Sequence, residues 1–396
     1  MVFANPMDLV NHIVSVFREK FKKTPAVFMA PARINLIGEH TDYNDGFVMP
    51  GAIDKHMIFA IAPSGNSRCN IYAADHGEGV TFSIYDLNPG QTWVNYLQGM
   101  VDAFQRRGLA VRGVDCVFGG NIPSGAGLSS SAALCCGFGF ALNEIFKLGL
   151  QRLDLVRMAQ RSEQNFVGAM VGIMDPYASL FGKPDSVLLL DCRSESHRDL
   201  PFHFPEASIL LVDTRVKHAI SSSAYNDRRA ACEEGVKIIH RQKPEVESLR
   251  DVSRVMLYEI QDKLSEQVFI KCLYVVDEME RTQKAAALLQ SADLKSFGEL
   301  MYQTHWGLSQ SYEVSCDELD LLVTIAEEER NVVIGSRMMG GGFGGCTINL
   351  LNRGQEEMFK EKVRQKYFAT FKKEPDFYPV KLSEGVHAIP LPVTNP

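Results

Sequence analysis

Five of the six residues from Gly340 to Gly345 are glycine, inside the stretch Ser336-Arg337-Met338-Met339-Gly340-Gly341-Gly342-Phe343-Gly344-Gly345-Cys346. No stable helix or regular strand accepts that density. Ordering so many glycines also costs conformational entropy, which architecture alone rarely demands. The stretch therefore implies a loop whose backbone comes close to a ligand or to another loop. A second segment of this kind, Gly119-Gly120-Asn121-Ile122-Pro123-Ser124-Gly125-Ala126-Gly127-Leu128-Ser129-Ser130-Ser131-Ala132-Ala133, lies between a β-like run and an apolar helical run. Glycines let a backbone approach an anion, and the first N–H groups of a helix have no partners within it. With the helix dipole added, this is a phosphate site. Ser129, Ser130 and Ser131 add hydroxyls that can bond phosphate oxygens or a cation. No G-x-x-x-x-G-K-[ST] pattern occurs, so this is not a Walker loop. The competing reading of such a turn is a bare strand-to-helix connection.

A third segment, Pro31-Ala32-Arg33-Ile34-Asn35-Leu36-Ile37-Gly38-Glu39-His40-Thr41-Asp42-Tyr43-Asn44-Asp45-Gly46, packs a cation, carboxylates, an imidazole and amides into one turn-rich stretch. Polar groups at this density suit a ligand with many hydroxyls, each needing a donor or an acceptor. A solvated loop is the alternative. The formal net charge of −7 argues against nucleic acid and anionic membranes as partners of the whole surface. Nine cysteines are scattered along the chain without a C-x-x-C pair or a Cys/His zinc spacing. That pattern reads as reduced thiols in a cytoplasmic protein. Met1–Pro6 carries no basic cluster of a signal peptide, and no apolar run has the length of a membrane span.

At 396 residues the chain exceeds one ordinary domain and fits two domains sharing a cleft. Asn5-Pro6 opens a helix whose apolar stripe is Leu9, Ile13, Val16, Phe17 and Phe21. Strands are expected at Ala26–Ala30, Met57–Ala62, Asn70–Ala73, Val80–Tyr85, Val114–Phe118 and Ser186–Leu190. Helices are expected at Trp93–Arg107, with Thr92 as cap and Gly108 as stop, at Ala132–Phe146 and at Leu153–Phe166. The polar, proline-bearing stretch His197–Glu206 marks a domain boundary, giving domains 1–200 and 201–396. The second half opens with a strand at Ser208–Val212, continues with helices from Ser222 to about Glu329, and returns to strands at Val332–Met338, Thr347–Leu351 and Tyr378–Leu382. Mixed strands and helices in two halves give an α/β or α+β protein. No obligate protein partner is evident.

The three segments, in this order, resemble the signature motifs of the GHMP kinases, and Arg33–Tyr43 is similar to the signature of the galactokinase branch. Trp93-Val94-Asn95-Tyr96, Gly172-Ile173-Met174-Asp175, Leu190-Asp191-Cys192-Arg193-Ser194 and Tyr312-Glu313-Val314-Ser315 extend the resemblance over nearly the whole chain. It implies an N-terminal α/β domain, a C-terminal ferredoxin-like α+β domain and a site in the cleft between them. It further implies phosphoryl transfer from ATP to the C1 hydroxyl of galactose, with Mg²⁺. Asp175 would be the catalytic carboxylate, with Arg33 beside it. Glu39, His40, Asp42, Gly172 and Tyr225 would bind the sugar. Trp93, Gly125, Gly127, Leu128, Ser129, Ser130 and Ser131 would bind ATP, with Ser131 and Glu163 holding the metal. Gly340, Gly341, Gly342 and Gly344 would form the third motif.

The chain departs from the usual branch pattern at Ala32, where glycine is common, at Met339, where threonine is common, and at Cys135, where glutamate is common. Pro176-Tyr177 stands where Gln and an apolar residue are typical, and Pro176 removes an N–H beside the catalytic carboxylate. Substrate preference is therefore open to N-acetylgalactosamine or galacturonate, although Glu39 would repel a second carboxylate. A non-catalytic sensor of galactose and ATP is the reading from another class. Homoserine or mevalonate phosphorylation suits the polar Glu39–Asp42 cluster poorly.

Overall fold

The computed structural model describes residues 6–90, 92–216 and 222–391. Strands of the first half are β1 (Ala26–Asn35), β2 (Phe47–Val48), β3 (Pro50–Pro63), β4 (Arg68–Ala73), β5 (Glu78–Ser83), β6 (Val114–Gly120), β7 (Ser186–Asp191) and β8 (Ser196–Pro201). Those of the second half are β9 (Ala207–Asp213), β10 (Val333–Met338), β11 (Cys346–Asn352), β12 (Asp376–Val380) and β13 (His387–Ile389). The helices begin with α1 (Pro6–Phe21), α2 (Val94–Arg106), α3 (Ser130–Phe146), α4 (Arg152–Ser162) and α5 (Met174–Phe181). They continue with α6 (Ser222–His240), α7 (Arg254–Glu259), α8 (Glu266–Gln290), α9 (Leu294–Trp306), α10 (Asp317–Glu328) and α11 (Glu356–Phe371).

The largest sheet has the order β13-β1-β3-β6-β4-β5, and only β4 and β6 pair in parallel. Its two faces follow from the two-residue period of a strand. Along β1, Val27 and Met29 point to α1, meeting Leu9, Ile13 and Phe17, while Phe28 and Ala30 point to the helices on the other face. Val16 and Phe21, expected in the α1 stripe, are only half-buried, and Asn5, expected as its cap, lies outside the described residues. The α3 helix is apolar all round because it is buried against this sheet. At Gly137 an added Cβ would lie 2.2 Å from the Phe59 ring, so the close helix–sheet approach needs the missing side chain.

The second half centres on the antiparallel sheet β10-β11-β9-β12. In a three-stranded sheet, β2-β7-β8, the residues Val187, Leu189 and Leu200 share an apolar cluster with both halves. The polar stretch expected as the domain boundary, His197–Glu206, holds most of β8, paired with β7 so that Val187 faces Leu200. Leu200 is the one buried residue of this strand, as suits its place at the edge of its sheet. One core joins the halves: Ile34, Leu36 and Val187 pack with Ile209, Ala285, Phe297 and Ile348. The chain also returns across the expected boundary, since β13 pairs with β1. α11 was not anticipated, although Phe359, Val363 and Tyr367 recur at every fourth position and are buried. Among the described residues no helix is long and apolar enough to cross a membrane, and all nine cysteines are free thiols.

Candidate active site

The register between β1 and β3 breaks between Pro31, opposite His56, and Arg33, opposite Ala52. Such irregularities re-aim side chains at the ends of sheets, and Arg33 enters a cleft of about 550 Å³. There it meets Asp175 in the first turn of α5. Arg33 Nε donates to Asp175 Oδ1 at 2.8 Å and Nη2 to Oδ2 at 3.1 Å, a two-pronged pair. Arg33 Nη1 donates to the Gly127 carbonyl at 2.6 Å, tying the cation to the phosphate-type loop. Burial works against the charge on Arg33, but Asp175 and Glu39 outweigh it and raise its pKa. Ser129 Oγ donates to Asp175 Oδ2. Pro176 is the third residue of α5, and the Tyr177 N–H donates past it to the Ile173 carbonyl at 3.0 Å. A first-turn residue needs no intrahelical donor, so proline is accommodated without a lost bond.

The opposite wall comes from the loop after β1. Glu39 Oε1 accepts from Arg337 Nη2 at 3.0 Å and from the Gly340 N–H at 2.8 Å. His40 adopts φ 65° and is 4% exposed. Burial pushes its imidazole down to about 4, so it is neutral near pH 7. Its Nδ1 pairs with Tyr43 Oη at 2.8 Å, while Nε2 is buried without a hydrogen-bond partner among the described residues. The ring lies 5.4 Å from that of Tyr225. Burial pushes Asp42 up to about 7, helped by Asp175 and Glu39 and opposed by N–H groups of Tyr43 and Met174. Gly172 makes room for it: an added Cβ would stand 1.9 Å from Asp42 Oδ2. Glu278 of α8, fully buried, accepts from the Gly38 N–H at 2.9 Å and from Thr304 Oγ1, anchoring this loop from below.

At the start of α3, Gly125 (φ 78°), Gly127 (φ 74°) and Ser129 (φ 55°) take left-handed conformations that turn the chain into the helix. Ser130 and Ser131 follow in its first turn, and Gly125, Gly127, Leu128 and all three serines line the cleft. Glu163 opens a π-helical turn after α4 and is 5% exposed. Burial pushes its carboxyl up to about 8, with Asp175 adding and the Ser131 hydroxyl drawing it back. A buried carboxyl facing a hydroxyl, with no ion pair among the described residues, fits a divalent cation that takes few protein ligands. No cluster of three or more His, Cys, Asp or Glu among the described residues could hold a metal alone. Trp93 lies outside this cleft, in an adjoining cavity of about 400 Å³ that shares Tyr96, Ser130 and Ser131.

The glycine run divides by position. Gly340 and Gly341 line the cleft, and a Cβ on Gly340 would stand 3.3 Å from the Gly127 carbonyl. Gly342 and Gly344 lie against Val314 and Val216 instead. Of the two explanations for glycine density, approach to another loop accounts for these last two. Cys135 is buried, with its thiol donating weakly to the Tyr96 carbonyl at 3.8 Å. Sequence reasoning assigned no role to Tyr96, Glu278 or Arg337. Arg337 had a signal, a lone cation in an apolar strand before the glycines; Glu278 had none, being one carboxylate among many on a helix.

The family model for the galactokinase galactose-binding signature matches residues 15–63. Those for the GHMP kinase N-terminal and C-terminal domains match residues 95–183 and 285–369. The chain is similar to the galactokinase of Clostridium acetobutylicum, 36% identical over 97% of this chain and 100% of the relative. It is 38% identical to that of Thermosipho africanus, over 91% and 99%. Among solved structures, Lactococcus lactis galactokinase complexed with galactose matches with a TM-score of 0.91 and 30% identity, over 96% and 99%.

Proposed function

Since the chain belongs to the galactokinase family of the GHMP kinases, we propose that it transfers the γ-phosphoryl group of ATP to the C1 hydroxyl of α-D-galactose. The observation that carries the reading is the Arg33–Asp175 pair, set in one cleft between the polar loop after β1 and the N-terminus of α3. In this reading Asp175 accepts the C1 hydroxyl proton or orients that hydroxyl, a task that contributes about 10²–10⁴-fold. Arg33 stabilises charge on the transferring group. Glu39, His40, Asp42 and Tyr225 hold the remaining hydroxyls, and the unpartnered His40 Nε2 supports a ligand atom there. Gly172 acts through Asp42, by leaving its carboxylate room. Gly125, Gly127, Leu128, Ser129, Ser130 and Ser131 receive the phosphates, and Trp93 flanks the base in the adjoining cavity.

Glu163 and Ser131 would hold a divalent cation, which we take to be Mg²⁺, and it would neutralise phosphate charge as transfer proceeds. A division into domains near residue 200 belongs to this proposal, with β13 returning to the first. The nine unpaired thiols fit a reducing, cytoplasmic setting.

ADP release is the test, measured with Mg-ATP and galactose, glucose, galactosamine, N-acetylgalactosamine, galacturonate or no sugar. Galactose-selective release is expected, and Asp175→Ala should abolish it in folded protein. Selective release with another sugar would move the substrate. ATP binding without release for any sugar would favour a sensor.

A further inference from the structure

Among the described residues Arg337 is the largest side chain with no exposed surface. Its guanidinium donates Nε to the Leu36 carbonyl at 2.8 Å, Nη1 to its neighbour's carbonyl at Met338 at 2.6 Å, and Nη2 both to the Asn35 carbonyl and to Glu39 Oε1 at 3.0 Å. Glu39 is its single ion-pair partner within 4 Å among the described residues. A buried charge held by one carboxylate and three carbonyls is a rigid mount, since a planar fork with every edge engaged has no second rotamer to visit. The same carboxylate oxygen accepts from the Gly340 N–H at 2.8 Å, three residues further along. Both donors to Oε1 thus come from the end of β10 and the glycine run, about 300 residues away in sequence. The second oxygen of Glu39 makes no hydrogen bond among the described residues, and Glu39 lines the cleft.

We propose that Arg337 is a positioning residue for sugar recognition: with the Gly340 amide it takes up one oxygen of Glu39 so that the other is presented to a galactose hydroxyl. The glycine-rich third motif then serves the sugar through its first glycine, which also packs on Gly127 of the phosphate loop. This rests on Glu39 binding galactose, as proposed above.

Arg337→Lys keeps the charge but loses the fork. Removing a charged hydrogen bond changes binding by about 10–100-fold, so the galactose KM is expected to rise by that factor. The ATP KM should stay within about twofold, and the rise in Tm at a fixed galactose concentration should shrink while that from a non-hydrolysable ATP analogue persists. Glu39→Gln should raise the galactose KM in the same selective way. A merely structural Arg337 would instead shift both KM values together, or neither, and either result overturns the inference. If Arg337→Lys does not fold, a crystal structure of the wild-type protein with galactose tests the same point: Glu39 Oε1 still held by Arg337 and the Gly340 N–H, with the other oxygen on a galactose hydroxyl, supports the proposal, and any other placement overturns it. Should Glu39→Gln alone impair galactose use while Arg337→Lys does not, the positioning role fails and the galactokinase reading stands. Wild-type protein that ignores galactose would instead sink the functional reading itself.

Discussion

Ser129 combines an awkward backbone with a bond to the candidate catalytic carboxylate, and two substitutions separate the two. At φ 55° and ψ 52° it sits in the left-handed region, where a side chain costs about 1 kcal/mol more than glycine does. Its hydroxyl donates to Asp175 Oδ2, the oxygen that Arg33 Nη2 reaches from the other side. Ser129→Ala removes the hydroxyl and keeps the strain; Ser129→Gly removes both. A hydrogen bond to a charged group contributes about 1.5–3 kcal/mol, so each variant should lose about 10–100-fold in kcat if that bond holds Asp175 during transfer. Stability should divide them the other way. Ser129→Gly should exceed Ser129→Ala by about 1 kcal/mol, which is about 2–4 °C in the melting of a domain of 150–250 residues. Coupled ADP release and thermal melting at fixed protein concentration read both quantities. Undiminished kcat in Ser129→Gly, or a Ser129→Ala that melts as high, would refute the reasoning.

Three other perturbations are as direct. Gly172→Ala puts a carbon 1.9 Å from Asp42 Oδ2, and a displacement of about 1 Å can cost on the order of 10²-fold; galactose titrations should show a raised KM, and an unchanged one would remove Asp42 from the sugar site. Pro176→Gln restores the usual residue at a first-turn position that lacks an intrahelical bond in either case, so kcat and Tm should change little; a several-fold gain in kcat would mean that proline does constrain Asp175. Burial pushes His56 down to about 4, so the folded state excludes a proton that the unfolded chain binds below its ordinary value near 6.5. Its contribution is present in full above that value and is lost as pH falls from 6.5 toward 4. Between pH 8 and pH 5 the wild type should lose about 2 kcal/mol more than His56→Asn, read by urea denaturation at both pH values; equal losses would place His56 in solvent.

Contiguous chemistry was legible in the sequence. Arg33, Glu39, His40 and Asp42 lie within ten residues, and the phosphate-type loop within fifteen, so local composition alone marked them. Asp175, Glu163 and Tyr225 were reached only through resemblance, because a lone carboxylate or tyrosine on a helix has no local signature. The groups that hold the site together were hidden for a further reason: Arg337–Glu39 and Glu278–Gly38 join residues hundreds of positions apart. Of the fold, the long runs came through, as at β3, β6, α3 and β11. The two-residue β2, the edge strand β8 and the three-residue β13 are stabilised by their neighbours more than by their own pattern.

The pairing of β13 with β1 also bears on how the chain is made. Val27–Met29 and their partners His387–Ile389 lie about 360 residues apart along the chain. At about 5–20 residues per second, the outer edge of β1 waits roughly 20–70 s on the ribosome before its strand arrives. Unpaired apolar edges invite pairing with other chains. A nascent chain of this design therefore carries that border bare while the residues between the two strands are made, and deleting His387–Ile389 would leave it open for the lifetime of the protein.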